Sequence, residues 1–143
     1  MTVFTAPPPA RQHCRHYHYV LPITQPDSGP NCKVGIDLSA PAASLCCMPP
    51  KDGQPSCASR EDWTDAERSD WAEWVEESKK RLIAAIGAVP HPIPLNTSGE
   101  VECPNCGGRL RYARWHRGGE IGCSTRGCCG ARYSVEAGKD WPA

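Results

Sequence analysis

Cys103-Pro104-Asn105-Cys106-Gly107-Gly108 opens the C-terminal third of this 143-residue chain. Two cysteines with two residues between them, and glycine directly after the second, form a tight turn in which both thiolates can point at one ion. Further cysteines follow at Cys123 and at Cys128-Cys129. A second pair at this distance completes a tetrahedral set of sulfur ligands, so the spacing predicts a metal site, with a disulfide framework as the alternative.

The four cysteines that we predict as ligands are Cys103, Cys106, Cys123 and Cys128. Gly127, directly before Cys128, gives the loop room to turn. Cys129 competes with Cys128, and because adjacent side chains point apart, we expect only one of the two to bind this ion. Four thiolates leave no open position for water, so we expect a structural zinc ion rather than a catalytic one.

The residues around these cysteines have the pattern of a small antiparallel sheet. Arg109–Trp115 alternates and predicts a strand. We expect Arg117-Gly118-Gly119-Glu120 to form the hairpin turn, Ile121–Cys123 to return as the second strand, and Ala131–Val135 to add a third. Residues 100–143 are therefore predicted to form a zinc ribbon.

The composition indicates a chain whose core needs covalent or metal cross-links. Hydrophobic residues make up 39% of the sequence, with one Phe, 15 Pro, 13 Gly and ten Cys. Because this leaves few large apolar side chains, we expect metal ions to stabilise a small α+β fold. The start of the sequence lacks the pattern of a secretion signal, and no stretch approaches the ~20 apolar residues of a membrane span. We therefore expect a cytoplasmic protein with reduced thiols.

A second cysteine-rich segment occupies residues 13–60, after a flexible, proline-rich arm at residues 1–12. Short strands are predicted at Tyr17–Ile23 and Cys32–Leu38. We predict a second metal site in this segment. Its ligands would be Cys14, Cys32, Cys47 and Cys57, and Cys46 would be a spare thiol. Zinc is the first choice of ion, and an iron–sulfur cluster or thiols that are free or disulfide-linked are the alternatives.

One long helix is predicted within residues 61–87. Thr64 is a good N-cap, Glu67 completes a capping box, and Gly87 with Pro90 marks the end of a helix over Asp65–Ile86. The apolar residues that fall near one stripe of it are Trp71, Trp74, Val75, Leu82, Ile83 and Ile86. We expect Trp71, Val75 and Leu82 to be buried. Residues 88–99, with alternating prolines, are predicted to be an extended linker.

The helix stripe offers two interpretations. Apolar side chains at this spacing usually belong to the core of the same chain. With so thin a core, however, Trp71, Trp74 and Leu82 could instead bind a partner protein or a second copy of this chain as a homodimer.

Basic and aromatic residues alternate on the predicted ribbon. The candidate nucleic-acid contacts are Arg109, Arg111, Arg114 and Arg117, with Tyr112 and Trp115 as stacking groups. Guanidinium groups bind phosphates, and aromatic rings stack on bases. The alternative is a hairpin whose aromatic side chains cover the metal. Residues 100–143 contain seven basic and five acidic residues, in a chain whose net charge is zero, so we expect weak binding at most.

The sequence lacks the usual catalytic patterns: a glycine-rich phosphate loop, a serine nucleophile elbow, or a His-Glu pair spaced for a helix. We therefore expect a protein that is not an enzyme. The alternatives are an inhibitor that binds a host transcription or antiviral defence protein, and an iron–sulfur redox component.

The C-terminal segments Cys103–Gly107 and Cys123–Cys128 resemble those of zinc ribbons in general. The two-part plan is similar to small uncharacterised proteins of tailed bacteriophages and prophages, through Cys14-Arg15-His16-Tyr17, Cys32-Lys33-Val34-Gly35 and Cys57–Thr64. The resemblance implies a phage accessory protein in the cytoplasm of a bacterial host. Its partner would be nucleic acid, a nucleic-acid machine or a host protein, and its role regulatory, as in host takeover.

Overall fold

The computed structural model describes residues 4–21 and 24–134. In chain order, its elements are strand β1 (Tyr17–Val20), strand β2 (Gly29–Cys32), a short 3-10 helix (Ala43–Cys47), helix α1 (Asp65–Ala88), and strands β3 (Thr97–Glu102), β4 (Arg109–Trp115), β5 (Gly118–Cys123) and β6 (Gly130–Ser134). This is a small α+β fold, the class that the composition predicts. Within the described ranges, no helix is both long enough and apolar enough to cross a membrane.

The chain divides into two compact units. The N-terminal unit is Pro8–Trp71, and the C-terminal unit is Met1–Pro7 together with Ala72–Ala143. The boundary falls inside α1, whereas the sequence patterns place boundaries on either side of the helix.

The C-terminal unit is built on an antiparallel sheet with strand order β3-β4-β5-β6. Its buried core consists of Ala85, Val89, Ile93, Cys103, Leu110, Ile121 and Cys128. Leu110 pairs with Cys123, and Tyr112 pairs with Ile121, so one face of the sheet points at this core. We call this the inner face. The opposite, outer face carries the β4 residues Arg109, Arg111, Ala113 and Trp115.

The predicted linker over residues 88–99 belongs partly to this core. Val89 is 4% exposed, Ile93 is fully buried, and β3 begins at Thr97. The predicted bounds of the linker are therefore wrong at both ends, because α1 includes Ala88 and β3 begins at Thr97. Between them, Val89 and Ile93 pack in the core of this unit. The hairpin turn also differs from the predicted turn at residues 117–120. Strand β5 already begins at Gly118, and the turn lies at His116 and Arg117.

Helix α1 begins where its capping residues predict. The Thr64 amide donates to Glu67 Oε2 at 2.8 Å, and the Glu67 amide donates to Thr64 Oγ1 at 3.2 Å. These are the two reciprocal bonds of a capping box. The helix continues to Ala88, so the prediction of Gly87 as C-cap is wrong.

The apolar stripe of α1 is less buried than we expect from its spacing. Trp71, Val75 and Leu82 are only half-buried, and Ile83 is 69% exposed. The fully buried residue of the helix is Ala85. A small side chain there lets the helix backbone approach the core closely.

The N-terminal unit contains the hairpin of β1 and β2, in which Tyr17 pairs with Cys32. The second strand ends at Cys32 rather than starting there, which corrects the predicted Cys32–Leu38 strand. Gly35 has a φ of +83°, and its amide bonds the Cys32 carbonyl in a turn that stops the strand. The first predicted strand is shorter too, and its end at Pro22 and Ile23 lies outside the described residues.

The predicted flexible arm is partly packed. Phe4 contacts the core of the C-terminal unit, and the Arg81 guanidinium lies 4.6 Å from its ring centroid. Gly127 passes close to the Phe4 carbonyl. The prolines of the arm therefore do not prevent Phe4 from packing on this core.

Candidate metal centre

Four sulfur atoms converge at one end of the C-terminal sheet. In the part of the chain that the structure describes, only Cys103, Cys106, Cys123 and Cys128 bring three or more Cys, His, Asp or Glu ligand atoms within 4.8 Å of one another. Cys103 Sγ lies 3.8 Å from Cys128 Sγ, and Cys106 Sγ lies 3.4 Å from Cys123 Sγ. This cluster, which we call the C-terminal cysteine cluster, could hold a metal ion.

The loop between β3 and β4 fixes the first two sulfurs. The Cys103 amide donates to the Gly108 carbonyl at 2.7 Å, and the Gly107 amide donates to the Cys103 carbonyl at 2.8 Å. Gly107 has a φ of +71°, which a side chain would strain. The Gly108 amide then lies 3.4 Å from Cys106 Sγ as a donor. Such amide donors favour thiolate over thiol.

The end of β5 and the loop between β5 and β6 supply the other two sulfurs, from Cys123 and Cys128. The Cys123 amide bonds the Cys129 carbonyl at 3.1 Å, and the Cys128 amide bonds the Thr125 carbonyl at 3.2 Å. The Thr125 amide donates to Cys123 Sγ at 3.4 Å, while its hydroxyl lies 3.3 Å from Cys106 Sγ. Thr125 therefore links the two loops. Sequence reasoning missed it, although its place two residues after a ligand is the signal.

Helix α1 contacts both loops through Arg81. Its Nε donates to the Cys128 carbonyl at 2.8 Å, and its own carbonyl accepts from Asn105 Nδ2 at 2.8 Å. Asn105 Nδ2 also lies 3.9 Å from Cys103 Sγ. We predicted neither residue, because the pairing depends on a tertiary contact between residues far apart in sequence.

Burial opposes the ionisation of two thiols in the cluster. It raises the pKa of Cys128 well above its ordinary value and also raises the pKa of Cys123. Cys106 is the exception: its hydrogen bond with the Thr125 hydroxyl, helped by the Gly108 amide, lowers its pKa to about 6. A bound cation favours thiolates in such a set, so metal binding and deprotonation are coupled.

The geometry bears on two choices at this site: Cys128 or Cys129 as the fourth ligand, and a metal site or disulfide bonds. Cys128 is 1% exposed and belongs to the cluster, whereas Cys129 lies outside it, with a pKa that burial raises to about 11. The sulfur separations of 3.4 and 3.8 Å exceed the roughly 2.0 Å of a disulfide bond. All ten cysteines are free thiols in the structure.

The N-terminal cysteines gather less tightly. Cys14 and Cys47 are buried, Cys32 and Cys57 are half-buried, and all four line one small cavity. Burial is also the main cause that raises the pKa of Cys47 to about 11. Their sulfurs do not meet the distances of the C-terminal cysteine cluster, so the second metal site stays a prediction.

The predicted nucleic-acid contacts are divided between the two faces of the sheet. Arg109, Arg111 and Trp115 lie on the outer face, while Tyr112 and Arg114 lie on the inner face. Arg114 is half-buried, and its Nη1 donates to the Ile93 carbonyl at 2.8 Å. Strand alternation therefore divides the candidates between two faces, and their contact with nucleic acid stays a prediction. Arg117 is exposed in the hairpin turn.

The outer face forms a shallow groove of about 820 Å³. Side chains are small along its floor, at Ala113, Gly122 and Gly130. Glutamate–arginine ion pairs lie along its sides. Glu100 bonds Arg111 at 2.9 Å and lies 3.9 Å from Arg109, and Glu120 bonds Arg132 at 3.2 Å. The groove therefore has polar walls of both charges.

The predicted partner-binding residues of α1 also lie near the metal centre. Trp74 and Leu82, with Val75 between them, line a second groove of about 460 Å³. Its other wall is the Thr125–Gly130 stretch of the β5–β6 loop. Trp71 belongs to the N-terminal unit.

The comparisons with known proteins give no match. No family, no curated protein and no solved structure is detectably similar to this chain. The resemblance to phage proteins stays a prediction, and the functional argument depends on the chemistry of the sites.

Proposed function

We propose that this protein is a non-enzymatic zinc-binding protein whose C-terminal sheet binds nucleic acid on its outer face. The observation that carries the proposal is the placement of four sulfurs at one end of a sheet whose outer face presents Arg109, Arg111 and Trp115. The metal stabilises the sheet, and the sheet presents the basic and aromatic groups.

Sulfur spacing supports zinc as the ion. Zinc–sulfur bonds of about 2.3 Å in a tetrahedron place neighbouring sulfurs about 3.8 Å apart. The separations of 3.8 Å and 3.4 Å lie near that value. Four thiolates fill the coordination sphere and leave no position for substrate or water, which supports a structural role.

The charge pattern of the outer face supports weak, salt-sensitive binding. Arg109 and Arg111 are 67% and 63% exposed, and they share one carboxylate, Glu100. Exposed ion pairs are worth only about 0–1 kcal/mol, so a phosphate can replace the carboxylate at little cost. Trp115, 42% exposed on the same strand, can stack on an unpaired base for about 1–3 kcal/mol. We therefore expect a preference for single strands.

The test is titration of labelled single-stranded and double-stranded oligonucleotides at low and moderate salt. For single strands, each phosphate contact contributes roughly −0.7 to the slope of log affinity against log salt. Arg109→Ala/Arg111→Ala should therefore weaken binding and make the slope shallower by about 1.4. Arg68→Ala, which removes an exposed helix arginine paired with Asp65, is the control and should change neither.

Absence of binding by the zinc-loaded wild type at low salt would overturn the nucleic-acid proposal. Binding that survives the double substitution unchanged would place the site on another surface. Both results would leave the zinc proposal standing, because zinc content is measured separately.

A protein partner is the second candidate, and the groove beside α1 favours it. Trp74, Val75 and Leu82 supply apolar contact area next to the cysteine loop, and Ile83 is exposed on the same helix. Leu82→Asp should abolish binding of such a partner, a host protein or a second copy of the chain, while zinc content stays the same. Sedimentation of the wild type and of this variant tests the homodimer directly.

The cellular setting remains part of the proposal. A phage accessory protein acting in a bacterial cytoplasm fits free thiols and a zinc site. An iron–sulfur redox role is a separate alternative, which a brown colour and iron content would support.

A further inference from the structure

Four chain segments of the N-terminal unit bring cysteines to one cavity. Cys14 precedes β1, Cys32 ends β2, Cys47 ends the 3-10 helix, and Cys57 lies in the loop that leads towards α1. All four line a cavity of about 10 Å³, and Cys46 lines it too. A cavity of this size is about large enough for one particle the size of a water molecule.

Three of these cysteines share the same local backbone arrangement. Each starts a hydrogen-bonded turn, in which its carbonyl accepts from the amide three residues later: Tyr17 to Cys14, Gly35 to Cys32 and Arg60 to Cys57, each at 3.1 Å. These turns fix the backbone at three of the four cysteines.

Hydrogen bonds distinguish Cys46 from Cys14. Cys14 Sγ accepts from the Glu61 amide at 3.4 Å. Cys46 Sγ instead donates to the Ala43 carbonyl at 2.8 Å, inside its own 3-10 helix. Because the Cys46 thiol already donates its proton within its own 3-10 helix, Cys47 is the ligand that we choose from this adjacent pair.

Arginine side chains hold the segments around the cavity together. Arg60 donates to the carbonyls of Met48 at 2.7 Å, Cys46 at 3.2 Å and Gln12 at 3.3 Å. Arg15 packs over the Trp63 ring at 4.9 Å and pairs with Glu67 at 2.8 Å. Both arginines are also paired with carboxylates, Arg60 with Asp62 at 3.0 Å, so their role here is to hold chain segments in place.

The apolar core at this place is small. Its buried members are Cys14, Leu38 and Cys47, with Cys32 and Cys46 among the partly buried residues that pack on it. Cysteines therefore take positions that Leu, Ile or Phe occupy in ordinary cores. A unit with so little apolar burial needs a cross-link to be stable, and free thiols provide none.

We propose that Cys14, Cys32, Cys47 and Cys57 bind a second divalent ion of the zinc type in a closed four-thiolate site. Binding draws the four sulfurs around the cavity closer together, and the thiols release their protons to solvent without any change of oxidation state. The site is structural, and it is independent of the C-terminal cysteine cluster and of nucleic-acid binding.

Metal counting on the full-length chain tests this inference. The wild type should contain two zinc ions by elemental analysis after exhaustive dialysis. Cys47→Ser should contain one, and the matched variant Cys46→Ser should still contain two. One ion in the wild type, or loss from Cys46→Ser instead of Cys47→Ser, overturns the inference; one ion that Cys103→Ser removes would leave the C-terminal proposal intact.

A second measurement applies if Cys47→Ser does not fold. Native wild-type protein is alkylated and its peptides are analysed by mass spectrometry, before and after a chelator is added. Cys32, Cys57 and Cys46 are all half-buried, so burial alone predicts similar labelling. The inference predicts that Cys32 and Cys57 label at least tenfold more slowly than Cys46 until the chelator is added. Equal rates without chelator, or iron with inorganic sulfide in the protein, overturn it.

Discussion

In the C-terminal unit, the β3–β4 and β5–β6 loops leave the same end of one antiparallel sheet, and they carry all four cysteines of the cluster. In the N-terminal unit, four cysteines come from a two-stranded hairpin and separate turns, and their sulfurs surround a cavity without the same close grouping. Strand pairing brings the first set to one end of a sheet. The second set has little structure to position it, so there a metal would contribute more of the organisation.

The largest effect should come from Cys103→Ser. We expect the protein to lose one zinc ion per chain and the C-terminal unit to unfold, since structural zinc sites contribute about 10–16 kcal/mol of apparent binding free energy. Elemental analysis and limited proteolysis measure both effects. Cys129→Ser is the control and should retain the ion, and unchanged zinc in Cys103→Ser would show that the ligand set is wrong.

A core substitution tests how much of the C-terminal unit depends on packing rather than on metal. Leu110 is fully buried, so Leu110→Ala should lower the free energy of unfolding by about 2–5 kcal/mol. Leu95 is 54% exposed, and Leu95→Ala should change it by less than about 0.5 kcal/mol. Denaturant unfolding of the zinc-loaded proteins measures both, and similar effects of the two substitutions would contradict the described core.

Arg81→Ala removes the helix contact with the β5–β6 loop. Groups that support metal ligands typically change metal affinity by about 10–100-fold, and we expect a weakening in that range. Competition with a chromophoric chelator gives the affinity. Arg68→Ala, on the same helix, should leave it unchanged, and equal affinities for all three proteins would mean that Arg81 does not support the site.

The smallest effect concerns the start of α1. Thr64→Ala should cost about 1 kcal/mol, since it removes the side-chain oxygen that accepts from the Glu67 amide. The Thr64 amide is the main cause that holds the pKa of Glu67 below its ordinary value. The contribution of the Glu67 carboxylate to stability is therefore present above the ordinary glutamate pKa of about 4.3, and it is lost as the pH falls through the lowered pKa.

The free energy of unfolding, measured between about pH 3 and pH 6, checks whether stability falls as Glu67 becomes protonated. Glu67→Gln should reduce the pH dependence in this range. An unchanged profile would mean that the carboxylate contributes nothing at the cap.

Local signals explain which parts of the fold were predictable. Thr64 and Glu67 mark the start of α1, and alternation marks Arg109–Trp115 as a strand. Strand β3 was missed because Thr97–Glu102 contains one large apolar residue, Val101, and a glycine. Nothing local shows that Ile93, between two prolines, would be fully buried.

The candidate site was predictable to a similar extent. Spacing identified the four cysteines that the structure brings together, because turn geometry and ligand chemistry are local properties. The supporting contacts of Arg81, Asn105 and Thr125 depend on how distant segments pack. Tyr112 and Arg114 lie on the opposite face from Arg111 because side chains alternate along a strand, which follows from the predicted strand Arg109–Trp115 itself.

Zinc K-edge X-ray absorption of the full-length protein reports directly which atoms bind the ion. If the ion is held by cysteines as proposed, sulfur should be its only ligand, with four neighbours at about 2.3 Å. Nitrogen or oxygen neighbours at about 2.0–2.1 Å, or protein that contains no zinc, would contradict the account.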